Sequence, residues 1–221
     1  MFKLLLPKYI SHRRNELKRV EKKGSDDLSE SCVLSYTHPN MLAALVAWNR
    51  LYIARRLYKK YSTGNEVLDF GAGSGELGRL LSSESSYTYI EEIVELANLI
   101  ETEIKSANRS DLSNLKKLKY DAIFCLDSLE HNTNYMDLTE RLLSSLKPGG
   151  VLIVSGPTEN VLYRLGRKVA GFTGDYHVTN IFAIEEFLKT KMTLVHKRFT
   201  PFGFPLFSLS VWRLPSSSRR A

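Results

Sequence analysis

Two stretches of this chain carry residues whose types and spacing suit chemistry. The first is Glu66-Val-Leu-Asp-Phe-Gly-Ala-Gly-Ser-Gly-Glu-Leu-Gly-Arg-Leu-Leu81. A short apolar run ends at Asp69 and Phe70, turns through Gly71, Gly73 and Gly75, and resumes as a helix with Leu77, Leu80 and Leu81 on one side. A strand feeding a glycine turn that opens a helix brings bare backbone and a helix N-terminus against a nucleotide-like ligand. Gly73-Ser-Gly75-Glu-Leu-Gly78 also satisfies the dinucleotide pattern GxGxxG, which is unspecific on its own. Asp69 argues against that pattern. A carboxylate beside a pyrophosphate only repels it, whereas one beside a cationic ammonium or sulfonium attracts it. The second stretch is Asp127-Ser-Leu-Glu130-His131, two acids and an imidazole at the end of an apolar run, where side chains can take a proton from a reacting group.

The elements that must position these residues follow from the pattern. Tyr87-Thr-Tyr-Ile90 reads as a second strand ending at Glu91-Glu92. An acid about 20 residues past a glycine turn can accept bonds from both ribose hydroxyls; Glu91 takes that role, Glu92 is the alternative, and a helix start made acidic for its dipole is the plain reading. Tyr120-Asp-Ala-Ile-Phe-Cys-Leu-Asp127 is a buried strand that delivers Leu126, Asp127, Glu130 and His131 to the crevice. A helix from about Tyr135 to Leu146, the turn Lys147-Pro-Gly-Gly150 and the strand Val151-Leu-Ile-Val154 come next. Thr158 to Ala170 reads as a cationic helix, Ile184 to Leu188 as a short one, and Thr193–Phe199 and Leu206–Leu214 as two strands. Upstream, Pro39 starts a helix to about Tyr61, with its Met41, Leu45, Trp48, Tyr52 side buried and Arg50, Arg56, Lys59 and Lys60 solvated.

The acid-led glycine turn resembles motif I of the class I S-adenosylmethionine (SAM) methyltransferases. The helix, Pro-Gly-Gly turn and apolar strand resemble the same family, the two together covering about residues 64–156. The resemblance implies an α/β fold: a Rossmann-like seven-stranded, mostly parallel sheet with an antiparallel last strand, helices on both faces and an N-terminal helical extension. It implies SAM as cofactor, with Asp69 at its methionine end, Gly71, Gly73 and Gly75 as the backbone cradle, and Leu126 along the pocket. Asn108 and Asp111 would fall in the loop that holds the adenine, although Asp111 reads equally as a helix N-cap. Asp127-Ser-Leu-Glu130-His131 resembles the acid-x-x-Glu-His cluster of the ubiquinone-biosynthesis O-methyltransferases and the small-RNA 2′-O-methyltransferases. There the cluster binds a divalent metal such as Mg, which lowers a hydroxyl pKa, and His177 would be a further ligand. In metal-free relatives Glu130 would cap a helix and His131 would line the pocket or act as general base.

The totals bound the rest. A chain of 221 residues, 43% hydrophobic and 25% charged, suits one domain, here residues 31–214, with a basic arm at 1–30 and a flexible tail at 215–221. The net charge of +7 is concentrated at the ends, +6 in residues 1–25 and +3 in 211–221, which leaves the body at −2. Basic ends on a near-neutral body make nucleic acid the second choice of acceptor, giving an RNA methyltransferase as the alternative. The arm, amphipathic at helical spacing, can lie on an anionic membrane surface, dock on a partner, or pack on its own domain. Aromatic and proline content around Phe202, Phe204 and Phe207 suits either an apolar substrate pocket or a shallow dip into a membrane interface, and with the basic ends makes a small or lipid-like acceptor the first choice. Cys32 and Cys125 fit neither a disulfide framework nor zinc spacing, and with no bilayer-length apolar run a cytoplasmic place, with membrane association through the arm, is expected. O-methylation is the leading expectation, a SAM-binding protein without turnover is its rival, and an NAD-dependent oxidoreductase is disfavoured by Asp69 and the Pro-Gly-Gly strand.

Overall fold

A computed structural model describes residues 7–23, 32–170, 179–201 and 203–215. The apolar runs around the glycine turn are short and rich in β-branched and aromatic residues, so they form buried strands. These are β1 (Glu66–Phe70), β2 (Ser86–Ile90), β3 (Asn108–Arg109), β4 (Tyr120–Leu126), β5 (Leu146–Pro157), β6 (Thr193–Thr200) and β7 (Phe207–Arg213). Their order is β3-β2-β1-β4-β5-β7-β6. β7 runs antiparallel to both β5 and β6, and the remaining pairs are parallel. This is the sheet that the resemblance implies.

Helices cover both faces. α3 (Met41–Tyr61), α4 (Glu76–Leu81) and α5 (Val94–Glu103) pack with Val67, Tyr87, Phe124 and Ile153 on one face. α6 (Tyr135–Ser145) and α8 (Ile181–Lys189) pack with Leu68, Cys125, Leu152 and Val154 on the other. Alternate residues of each strand serve opposite layers, as the pleat requires. The reversal of order between β1 and β4 opens a crevice at their C-terminal ends, where both chemical stretches finish.

Several expectations shift. The Pro-Gly-Gly segment is the bulged start of β5, because Leu146 already pairs with Tyr120 before the register slips. Asn40, not Pro39, caps α3, its Oδ1 accepting from the Leu42 N–H at 2.9 Å. The buried face of α3 is also rotated: Met41 and Leu45 are exposed, while Arg50 and Arg55 are buried. Fully apolar periodicity misled here, since buried arginines with acidic partners count as core.

The N-terminal arm contributes α1 (Pro7–Lys23), and α2 (Val33–Thr37) follows. Ile10 and Leu17 of α1 join the same core as α3 and α4. Of the three readings of the arm, its apolar side is used internally. α7 (Val161–Ala170) lies beyond β5, its first turn held by Asn160, whose Oδ1 accepts from the Tyr163 N–H at 2.7 Å. Among the described residues no helix is long and apolar enough to cross a membrane. The linker at 24–31, the loop at 171–178, Phe202 and the tail from 216 lie outside the described residues.

Candidate active site

Asp69 stands at the end of β1 with 2% of its surface exposed. Val67 pairs with Tyr87 and Asp69 with Tyr89, so Tyr87 shares the face of Asp69 and reaches forward to it. The Tyr87 hydroxyl donates to Asp69 Oδ2 at 2.7 Å. Burial pushes the Asp69 carboxyl up to about 7, the Tyr87 bond opposes this, and the charge of Glu91 adds to it. Gly71 follows with φ +71°, and a Cβ there would come within 2.5 Å of Ser128 Cβ, so the turn presses on the loop that carries Glu130. At Gly73, φ +56°, a Cβ would meet nothing among the described residues nearer than Cys32 Cβ at 3.9 Å. That side of the turn has room for a ligand. Gly75, also left-handed, precedes the first residue of α4.

Glu91 ties the turn to the next helix. Its Oε2 accepts from the Gly73 N–H at 2.6 Å and its Oε1 from the Ile93 N–H at 2.9 Å, while Glu92 is exposed. Burial raises the Glu91 pKa and these backbone bonds hold it down. Among the described residues neither Asp69 nor Glu91 is paired with a Lys or Arg. A buried carboxylate and a partly buried one around a bare-backbone turn, both raised by burial and Asp69 also by the charge of Glu91, call for a cation. An ammonium or sulfonium supplies one, so the residues present fit SAM.

Asn108, expected beside the adenine, belongs to β3 itself and is exposed. The loop after the strand therefore begins at Ser110, two residues later than expected. Asp111 caps a 3-10 turn, Leu112–Asn114, its Oδ1 accepting from the N–H groups of Ser113 at 2.8 Å and Asn114 at 3.0 Å. The Ser113 side chain first, then Asn114, lowers its pKa. Of its two readings, the cap is what its geometry displays.

At the end of β4, Leu126 packs against the α3-side core and Asp127 leaves the strand with φ +52°. The Asp127 N–H donates to Ser155 O at 2.9 Å, and its Oδ1 accepts from Ser155 Oγ at 2.9 Å. Its Oδ2 lies 2.5 Å from Nη1 of Arg50. Arg50, read as solvated, is 5% exposed, with its guanidinium stacked 3.8 Å over the ring of Phe207. Phe207 in turn meets Tyr163 of α7 edge-on at 5.4 Å. The Nη1 contact is an ion pair without hydrogen-bond alignment, and Arg50 Nε has no acceptor among the described residues.

Glu130 is 1% exposed, and among the described residues neither carboxylate oxygen has a hydrogen-bond partner. Burial, and after it the Asp127 charge, raises its pKa well above the carboxylate range. His131 closes the 3-10 turn Leu129–His131 and is half-buried beside the crevice. His177 lies outside the described residues. Among the described residues no group of three or more His, Cys, Asp and Glu converges as a metal site.

Sequence reasoning missed two contributors. Arg13 of α1, 1% exposed, donates to Glu76 at 2.7 Å and to both oxygens of Glu103 at 2.9 and 2.8 Å, and Arg79 also pairs with Glu103. Glu76 is the first residue of α4, directly after the glycine turn, and burial pushes its carboxyl up to about 7 against the pull of Arg13. The second contributor is Cys32, beside Gly73, its thiol pushed up to about 12 by burial and then by Asp127, and therefore neutral. The only signal for the first was an acid at the opening of a helix; its partner is 63 positions away.

Comparison with known proteins bears on the family and the fold. The methyltransferase domain family matches residues 47–196. Ubiquinone biosynthesis O-methyltransferase of Xylella fastidiosa (strain M23) is 29% identical over 114 residues, 47% of this chain and 45% of that protein. The enzyme of that name from Rickettsia canadensis is 28% identical over 153 residues, 62% of this chain and 63% of that one. The matched segment thus spans about half to under two thirds of those relatives' length. The N-methyltransferase NodS from Bradyrhizobium japonicum, in complex with S-adenosyl-L-homocysteine, superposes with a TM-score of 0.63 at 17% identity over 90% of this chain and 98% of that one. Magnesium protoporphyrin IX methyltransferase from Synechocystis, with the same ligand bound, gives 0.62 at 16% identity over 96% and 99%.

Proposed function

Since this chain belongs to the methyltransferase domain family, with the fold of the class I SAM-dependent enzymes, we propose that it transfers the SAM methyl group to an oxygen of a small or lipid-like acceptor. The observation that carries the reading is the pair of carboxylates, Asp69 buried and Glu91 partly buried, set around Gly73 with no Lys or Arg partner among the described residues. In this reading Asp69 serves the methionine end of the cofactor and Glu91 its ribose, while Leu126 and the loop at Asp111 border the adenine. When bound, SAM supplies a sulfonium methyl that passes in line to the acceptor oxygen, the C–O bond forming as the C–S bond breaks and the sulfonium becoming a neutral thioether.

The chain's own work is to orient the acceptor and to take its hydroxyl proton. His131 is the residue for that proton: it is half-buried at the crevice, whereas Glu130 is sealed beneath it. Glu130 and Asp127 then shape the floor. Names of the curated relatives favour oxygen as the acceptor atom. A lipid-like acceptor is supported by the outer side of α7 and the adjoining turn. Val161, at 76%, Leu162, Leu165 and Phe204 are all exposed there, while Tyr163 points inward to Phe207.

Calorimetry with S-adenosylhomocysteine (SAH), SAM and NADH, followed by transfer of labelled methyl groups from SAM to a panel of phenols and catechols with and without short prenyl chains, tests the reading. SAH binding with His131→Ala inactive but still competent to bind SAH supports it. NADH binding in place of SAH, or SAH binding without transfer to any phenol, counts against it.

A further inference from the structure

β5 separates the two acids of the second stretch. Ser155 and Gly156 are consecutive on this strand, so their Cα–Cβ directions face opposite sides of the sheet. Asp127 lies on the Ser155 side, bonded to Ser155 Oγ at 2.9 Å and to Arg50 of α3. Glu130 lies on the Gly156 side: a Cβ on Gly156 would come within 3.4 Å of Glu130 Oε1 and 3.2 Å of Ile181 of α8. One divalent ion needs its oxygen ligands convergent at about 2.0–2.6 Å. These two carboxylates point into different layers, and Asp127 already has a cation against it.

From this arrangement, and resting on the methyl-transfer reading of the same crevice, we infer that Arg50 occupies the position a divalent cation would need at Asp127, making this a metal-free site held by a guanidinium. Arg50 is a positioning residue. Its stack on Phe207, itself braced by Tyr163, fixes the plane of the guanidinium, and Nη1 fixes Asp127 Oδ2. Two elements distant in sequence, α3 and β7, thereby set the direction of the acid that follows β4. The expected metal set of Asp127, Glu130, His131 and His177 does not fit this arrangement, since its two carboxylates diverge and His177 lies outside the described residues.

The test is calorimetric titration of the full chain with MnCl2 and MgCl2, with and without SAH. Wild type is expected to bind neither ion at low millimolar concentration, and SAH affinity is expected to be the same in EDTA and in Mg²⁺. Arg50→Met, which frees the Asp127 carboxylate, is expected to gain a Mn²⁺ site that disappears again in Arg50→Met/Asp127→Asn. Arg50→Gln, which removes the charge but keeps a polar side chain, serves where the Met variant does not fold. Wild-type metal binding that Asp127→Asn abolishes overturns the inference. So does the lack of any gained site in both folded Arg50 variants. Failure of wild type to bind SAH instead removes the methyltransferase reading, whatever the metals do.

Discussion

The hydroxyl of Tyr87 donates to Asp69 Oδ2 at 2.7 Å, joining the second strand to the acid that opens the glycine turn. The bond is fully buried, and it is the one described side-chain contact holding down a carboxyl that burial pushes up to about 7. The sign of the resulting pH effect follows. A cationic ligand prefers ionised Asp69, so binding lowers its pKa and releases a proton when the pH is below about 7. SAH and SAM affinity should therefore be greatest above pH 7 and weaken by up to about tenfold per unit as pH falls through it. Calorimetry in buffers of different ionisation enthalpy reads both the affinity and the proton release. Tyr87→Phe, by removing the opposing bond, should move the inflection to higher pH, and Asp69→Asn should flatten the profile. An unchanged profile in Asp69→Asn would assign the titration elsewhere.

Glu91 makes a different use of charge. Both its oxygens accept backbone N–H bonds, from Gly73 and Ile93, so it holds the turn in shape as well as facing the crevice. Glu91→Ala leaves two N–H groups without their acceptor, at about 1–3 kcal/mol. SAH affinity should drop by about 10–100-fold, while Glu92→Ala, at an exposed position, should leave it unchanged. Equal losses in the two variants would mean that general negative charge, not the Gly73 bond, matters.

The fold was legible where side chains obey a period, and the site was legible where residues are neighbours in sequence. Asp69, the three glycines and Glu91 lie within one β-turn-α-β stretch, so spacing alone placed them. Leu126 to His131 reached the crevice for the same reason. What could not be read were contacts across many residues. Arg50 looked solvated because its acid, Asp127, and its ring, Phe207, belong to β4's end and β7. Arg13 looked like one charge among many on a basic arm until Glu76 and Glu103 surrounded it. Asn108 was misplaced because a two-residue strand has too few positions to display alternation.

Arg13 carries a stability prediction. Removing one partner of a buried ion pair costs about 3–5 kcal/mol, since the other charge stays desolvated. Water reaching Glu103, which is partly exposed, puts Arg13→Ala near the lower figure. That corresponds to a melting temperature lower by about 6–12 °C for a chain of this size. Arg13→Lys keeps the charge but cannot bridge Glu76 and Glu103 together, so it should recover only part of the loss. Thermal unfolding by circular dichroism checks both; a shift under about 1 °C in the Ala variant would mean that α1 contributes little to the core.

Gly78 sets two effects against each other. It lies within α4, where Ala would gain about 1 kcal/mol in helix propensity over Gly. A Cβ there, however, would stand 2.5 Å from Cε1 of Tyr87, a ring with no exposed surface whose hydroxyl is committed to Asp69. Overpacking of a filled core costs about 1–3 kcal/mol, and the ring has no free side to retreat to. The clash should win, so Gly78→Ala should melt earlier than wild type despite the better helix former. Displacing Tyr87 also loosens its bond to Asp69, so SAH affinity should fall along with stability and its pH inflection should move upward, as in Tyr87→Phe. A more stable Gly78→Ala with unaltered SAH binding would mean that the ring can shift without disturbing the acid, and the close approach of α4 to β2 would then have no bearing on the cofactor site.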